Sequence, residues 1–199
     1  MPVLFILGGP NGAGKTTFYY NAIKNGYINK DLPFVNVDTI ARNELGGYSE
    51  ENFVKASDIA RNRITHHLGD KQNFMIESNL AKASDYDWLV NMQKAGYEII
   101  LYFLCTKDIH INIDRVERRV KEGGHFIPAH IITDRYKMCI IYLRSKLDLF
   151  KEVYLIDNTE QAVKEMAMLK NGLILFEDDN PPDWVTNLLF IVKKLGTKS

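Results

Sequence analysis

Eight residues near the start of the chain, GPNGAGKT from Gly9 to Thr16, have the composition of an anion cradle. They satisfy the pattern G-x-x-x-x-G-K-[ST]. Glycines at 9, 12 and 14 accept backbone shapes that other residues resist, so peptide N–H groups turn inward around a phosphate. Pro10, Asn11 and Ala13 complete the loop, and Thr17 follows it. Lys15 is expected to set its charge on the outer phosphates, and the Thr16 hydroxyl to ligate Mg²⁺. A helix beginning here would aim its positive end at the same anion. The expected ligand is therefore a nucleoside triphosphate with its magnesium ion.

Holding a triphosphate does not separate a motor, a switch and a kinase. The chain has no serine-glycine-glycine signature of transporter ATPases and no Asn-Lys-x-Asp motif for reading guanine. Phosphoryl transfer to an alcohol would need a base beside the acceptor and arginines around the moving group. In VNVDTIAR, Asp38 closes an apolar run; it suits a base or metal-water ligand, or the N-cap of a helix over TIARNEL. Arg42, one helical turn later, faces either the same cleft or solvent. In NFMIESNLAK, Glu77 ends another apolar run, a position for an acceptor pocket or the Mg²⁺ water shell. Read as a helix, 109–122 gathers Ile109, Ile113, Val116 and Val120 on one face, with Arg115 and Arg119 along its flank. Arg118 is expected on the opposite, solvated side. Gly123-Gly124 stops that helix, Pro128 opens the next, and Arg135 lies near the second helix's buried side. His125 sits in the intervening hinge, as a substrate contact or a structural residue. Asn158, after the run YLID, is either a contact to the nucleotide base or a helix cap.

These side chains need a frame that brings them to one edge. Apolar runs at Val3–Gly8, Phe34–Asp38, Phe74–Glu77, Glu98–Cys105, Val153–Asp157 and Leu173–Phe176 are continuous, as in parallel strands covered on both faces. Helices are expected at Lys15–Gly26, from an N-cap at Ser49 to Gly69, and at Asp85–Ala95, Ile109–Glu122, Pro128–Phe150, Glu160–Leu169 and Asp183–Leu195. Strand–helix alternation gives right-handed crossovers and a three-layer α/β domain, whose switch-point edge carries the ligands. A single domain is expected over 1–199, with 108–150 as a helical lid-like insertion. Formal charge balances at zero, with 25 basic and 25 acidic residues, which speaks against a nucleic-acid binder. Neither a leader nor a membrane span is expected, because no apolar run nears the ~20 residues required. Cys105 and Cys139 read as buried free thiols, in keeping with a cytoplasmic setting.

The set GGPNGAGKTT, VNVDTIAR, ESNL, RVERRVKEGGHFIP followed by DRY, and YLIDNT resembles the zeta-toxin-like P-loop kinases, in particular their small stand-alone bacterial branch. The resemblance covers roughly residues 3–160. It implies a P-loop NTPase/kinase fold with a mostly parallel central sheet. It also implies ATP-dependent phosphorylation of an amino-sugar nucleotide, UDP-N-acetylglucosamine, at the sugar 3′-hydroxyl. By that resemblance Asp38 is the base, Glu77 belongs to the acceptor pocket, and Lys15, Arg119 and Arg135 stabilise the transferred group. An antitoxin is the implied protein partner. The other reading is a nucleotide-binding toxin–antitoxin component or regulatory ATPase without small-molecule kinase activity.

Overall fold

Five apolar runs form parallel strands, and each of the first four leads into a helix. The computed structural model describes residues 1–160 and 162–196. In chain order the elements are β1 (Val3–Gly8), α1 (Lys15–Lys24), β2 (Phe34–Val35), α2 (Val37–Asn43), α3 (Glu50–Gly69), β3 (Phe74–Ser78) and α4 (Ala83–Lys94). Then come β4 (Glu98–Cys105), α5 (Ile109–Lys121), α6 (Ala129–Arg144), β5 (Glu152–Asp157), β6 (Lys164–Lys170), β7 (Leu173–Glu177) and α7 (Asp183–Gly196). The sheet order is β2-β3-β1-β4-β5-β6-β7. The first five are parallel, and β6 and β7 add antiparallel pairings at one edge. This is a P-loop NTPase/kinase fold, with β1 central so that the loop after it opens at the switch point.

The period of two along each strand divides the core. Leu4, Ile6, Phe74, Ile99, Leu101 and Phe103 face α3, α4, α6 and α7 in the main core cluster. Leu7, Met75, Leu104 and Ile156 face the other way and pack with Tyr19 and Ala22 of α1. Ser49 caps α3 by accepting from the Asn52 N–H at 3.1 Å, as its position in the sequence predicts. Cys105 and Cys139 are buried free thiols. Among the described residues no helix is long and apolar enough to cross a membrane.

Two expectations are corrected. The strand expected over Phe34–Asp38 ends at Val35, because Asn36 turns the chain and caps α2 by accepting from Thr39 N–H at 2.9 Å. Asp38 therefore stands in the first turn of a helix. The helix expected over Glu160–Leu169 is replaced over most of its length by β6; Gln161, inside that range, lies outside the described residues. Tertiary pairing overrides its helix-forming composition: Met166, Ala167 and Leu169 are buried against the core, and Lys170 meets Glu152 of β5 at 2.8 Å. The segment 108–150 is anchored in two places. Cys139 and Leu143 of α6, with Leu147 and Phe150 beyond it, belong to the main core. α5 and the following turn rest, with the first turn of α6, on a separate small cluster, Val116, Ile127 and Ile132.

Candidate active site

The loop after β1 is shaped by its neighbours as much as by its own glycines. A Cβ on Gly9 would lie 2.0 Å from the Leu104 carbonyl oxygen, on Gly12 2.3 Å from the Asn112 carbonyl oxygen, and on Gly14 2.2 Å from Asn158 Nδ2. The loop is thus pressed between β4, α5 and the turn after β5. Lys15, only 5% exposed, curls back into it. Its Nζ donates to the carbonyls of Gly9 at 2.7 Å and Pro10 at 3.1 Å, and to Asn79 Oδ1 at 3.2 Å.

A cleft of about 960 Å³ opens over this loop. Asn11, Gly12, Gly14, Lys15, Thr16 and Thr17 line it from below, Asp38 and Glu77 from the β2–β3 side. From α5 come Arg115, Arg118 and Arg119, and from the turn after β5 come Asn158 and Thr159. The acid of α2 and the anion cradle therefore share one crevice, although Asp38 arrives on a helix and not at a strand end.

Glu77 is the hub beside the cradle. Its Oε2 accepts from Thr16 Oγ1 at 3.0 Å and from Asn36 Nδ2 at 2.6 Å, and its Oε1 lies 3.6 Å from Lys15 Nζ. A hydroxyl and a carboxylate side by side are hard oxygen donors of the kind Mg²⁺ takes alongside phosphate and water. The pair fits that ion, and Thr16 and Glu77 are the residues that would hold it. Glu77 thus sits on the phosphate side of the cleft.

The arginines divide by element. Arg115 donates to the Thr159 carbonyl at 3.3 Å, and burial pulls its pKa below the ordinary guanidinium value, with the neighbouring Arg118 adding to the effect. Arg119 donates to the His125 carbonyl at 3.3 Å. Among the described residues, Arg115 Nη1 and Arg119 Nε are buried with no hydrogen-bond partner. Arg135 reaches from α6 to Asn11 Oδ1 at 2.9 Å, at the rim of the cradle. Arg118, expected in solvent, is exposed yet lines the cleft, because the crevice wraps around the outer side of α5. Arg42 is exposed in the last turn of α2, and the structure does not bring it into the cleft lining. His125 packs edge-on against Phe53 at 4.4 Å and Tyr48 at 5.8 Å.

Asn158 spends one N–H on the Ala13 carbonyl at 2.7 Å, so it clamps the cradle from the side where a base contact was expected. Sequence reasoning missed a second clamp. Asn112, fully buried on α5, donates to the Asn11 carbonyl at 2.6 Å and accepts from Thr106 Oγ1. Tyr136 of α6 donates to the Thr106 carbonyl at 2.6 Å. A polar residue among the apolar positions of α5 was the available signal, but its partner is 101 residues away.

Comparison with known proteins gives a consistent result. The family model described as Zeta toxin matches residues 1–171. An uncharacterized protein of Haemophilus influenzae is 32% identical over 82 residues, 41% of this chain and 56% of that protein. The native AvrRxo1-ORF1:-ORF2 complex contains a chain that superposes with a TM-score of 0.66 at 18% identity, covering 94% of this chain and 64% of that one. The PezAT chromosomal toxin–antitoxin system of Streptococcus pneumoniae gives 0.61 at 16% identity, covering 100% and 85%. This chain thus spans less than two thirds of the Haemophilus and AvrRxo1 proteins.

Proposed function

The chain belongs to the zeta toxin family, and on that premise we propose that it moves the γ-phosphoryl group of ATP to a hydroxyl of a small molecule. The observation that carries this reading is the shared crevice: Asp38, the phosphate loop and the α5 arginines line one cleft. In the proposed reaction the Asp38 carboxylate takes the proton of the acceptor hydroxyl. The acceptor oxygen bonds to the γ-phosphorus as the bond to the β–γ bridging oxygen breaks, and the electron pair leaves on ADP. Lys15 leaves its loop carbonyls for the outer phosphates. Arg115, Arg119 and Arg135 neutralise the equatorial oxygens, which is where most of the catalytic effect of such sites lies. Thr16 and Glu77 would hold magnesium, which would supply neutralisation of the phosphate charge.

The acceptor class we propose is a sugar nucleotide, with UDP-N-acetylglucosamine tested first, and the proposed protein partner is of antitoxin type. A ³¹P search for a phosphorylated product, with ATP, Mg²⁺ and a panel of sugar nucleotides, tests the reading. Asp38→Asn is expected to lower turnover by about 10²- to 10⁴-fold, the range of general-base contributions, while ATP still binds. Lys15→Ala is expected to lose both. Should Asp38→Asn turn over like the parent, Asp38 is not the base. Should no acceptor be phosphorylated although ATP binds, the chain is a nucleotide-holding module and the kinase reading falls.

A further inference from the structure

We propose that Asn36 is a positioning residue that aligns the two acids of the cleft at once; this deepens the phosphotransferase reading and rests on it. Asn36 is 4% exposed and stands between β2 and α2. Its two side-chain atoms do different work. Oδ1 accepts from the Thr39 N–H at 2.9 Å and starts the helix whose first turn carries Asp38. Nδ2 donates to Glu77 Oε2 at 2.6 Å, the same oxygen that takes the Thr16 hydroxyl. A carboxylate oxygen receiving two donors has its direction fixed, and its other oxygen turns toward Lys15. One amide thereby ties the acceptor side of the cleft to the phosphate side. Asn is suited to both tasks: it caps as well as Asp or Ser, and, unlike Asp, it offers an N–H to a neighbouring carboxylate.

The two tasks separate by substitution. Asn36→Ser keeps a capping oxygen but is too short to reach Glu77; Asn36→Ala loses both. Asn36→Ser is expected to melt with the parent protein, and Asn36→Ala about 2–4 °C lower, as the loss of one cap implies for a chain of this size. Calorimetric titration with ATP, in Mg²⁺ and in EDTA, reads the Glu77 task without any acceptor. In Asn36→Ser, affinity in Mg²⁺ is expected to fall about 10- to 100-fold, the usual loss when an outer partner of a metal-binding residue goes. Affinity in EDTA is expected to stay unchanged. With an acceptor in hand, kcat should fall while the KM of the acceptor holds. An Asn36→Ser protein with undiminished magnesium-dependent affinity overturns the proposal, and so does an equal loss in EDTA, which marks a damaged phosphate loop. If the parent protein phosphorylates nothing, the kinase reading fails while the titration still decides the role of Asn36.

Discussion

His125 links α5 to the start of α3. Its ring packs against Tyr48, just before α3, and Phe53 of α3, while its carbonyl accepts from Arg119 of α5. Burial pulls its pKa below the ordinary histidine value; Asp38 opposes that shift, and Arg119 and Arg135 reinforce it. The folded state therefore prefers the neutral ring. Above pH ~6.5 both folded and unfolded chains carry it neutral, and its contacts are fully available. As pH falls below that value the unfolded chain gains the proton first, so stability is lost. Thermal melts of the parent and of His125→Gln, run between pH 7.5 and 5.5, isolate this contribution; about two pH units span the ordinary His range. The advantage of the parent over the variant should shrink toward pH 5.5. A gap that stays constant across the series would assign the lost stability to other groups.

At the scale of elements, the stop after α5 does two separable jobs. Gly123 has a φ of 84° and closes the helix by donating to the Val120 carbonyl at 3.0 Å. Nothing lies within 4 Å of the Cβ it lacks, so Gly123→Ala meets backbone strain alone, about 1–2 kcal/mol. Gly124 lies outside the left-handed region, but a Cβ there would lie 2.5 Å from Arg119 Cγ and 2.8 Å from its carbonyl oxygen. Gly124→Ala is expected to push Arg119 aside and lower kcat about 100-fold, the cost of misplacing a catalytic group by roughly an ångström. Gly123→Ala is expected to melt lower while kcat holds. Equal kinetics in the two variants would remove Arg119 from the chemistry. The same contrast marks what a sequence makes legible. The limits of β1 and β4 follow from uninterrupted apolar runs, and the cradle follows from eight contiguous residues. The β6–β7 hairpin was signalled by Asn171-Gly172, both at positive φ as a tight hairpin turn requires, yet the run EQAVKEMAMLK has the composition of a helix. Asn112 showed only as a polar break in the apolar face of α5 and Asn36 only as a helix cap, because the partners that make them matter are 101 and 41 residues distant.

Across the whole molecule, the walls of the cleft differ in how they are anchored. The cradle, Asp38 and Glu77 hang from elements whose apolar residues belong to the main core or to the α1 face. The guanidinium wall on α5 does not: its apolar side meets α6 through Val116, Ile127 and Ile132, a cluster apart from both. Small satellite clusters bury little apolar surface and open at lower free energy than the core they border. The ties from α5 to the body are polar ones, Asn112 to the Asn11 carbonyl and Arg115 to the Thr159 carbonyl. In the proposed reaction such an element would adjust around the triphosphate without disturbing the sheet. Native-state hydrogen exchange should therefore show amides of α5 exchanging through a local opening, well ahead of those in β1 and β4. Saturating ATP, at about 100 times its Kd, should slow α5 by up to about 100-fold if the bound state must release the nucleotide before α5 opens. In Lys15→Ala that slowing should vanish. Amides of α5 that exchange only with global unfolding would mean the arginines are carried by the rigid body, and that substrate enters a cleft already in its final shape.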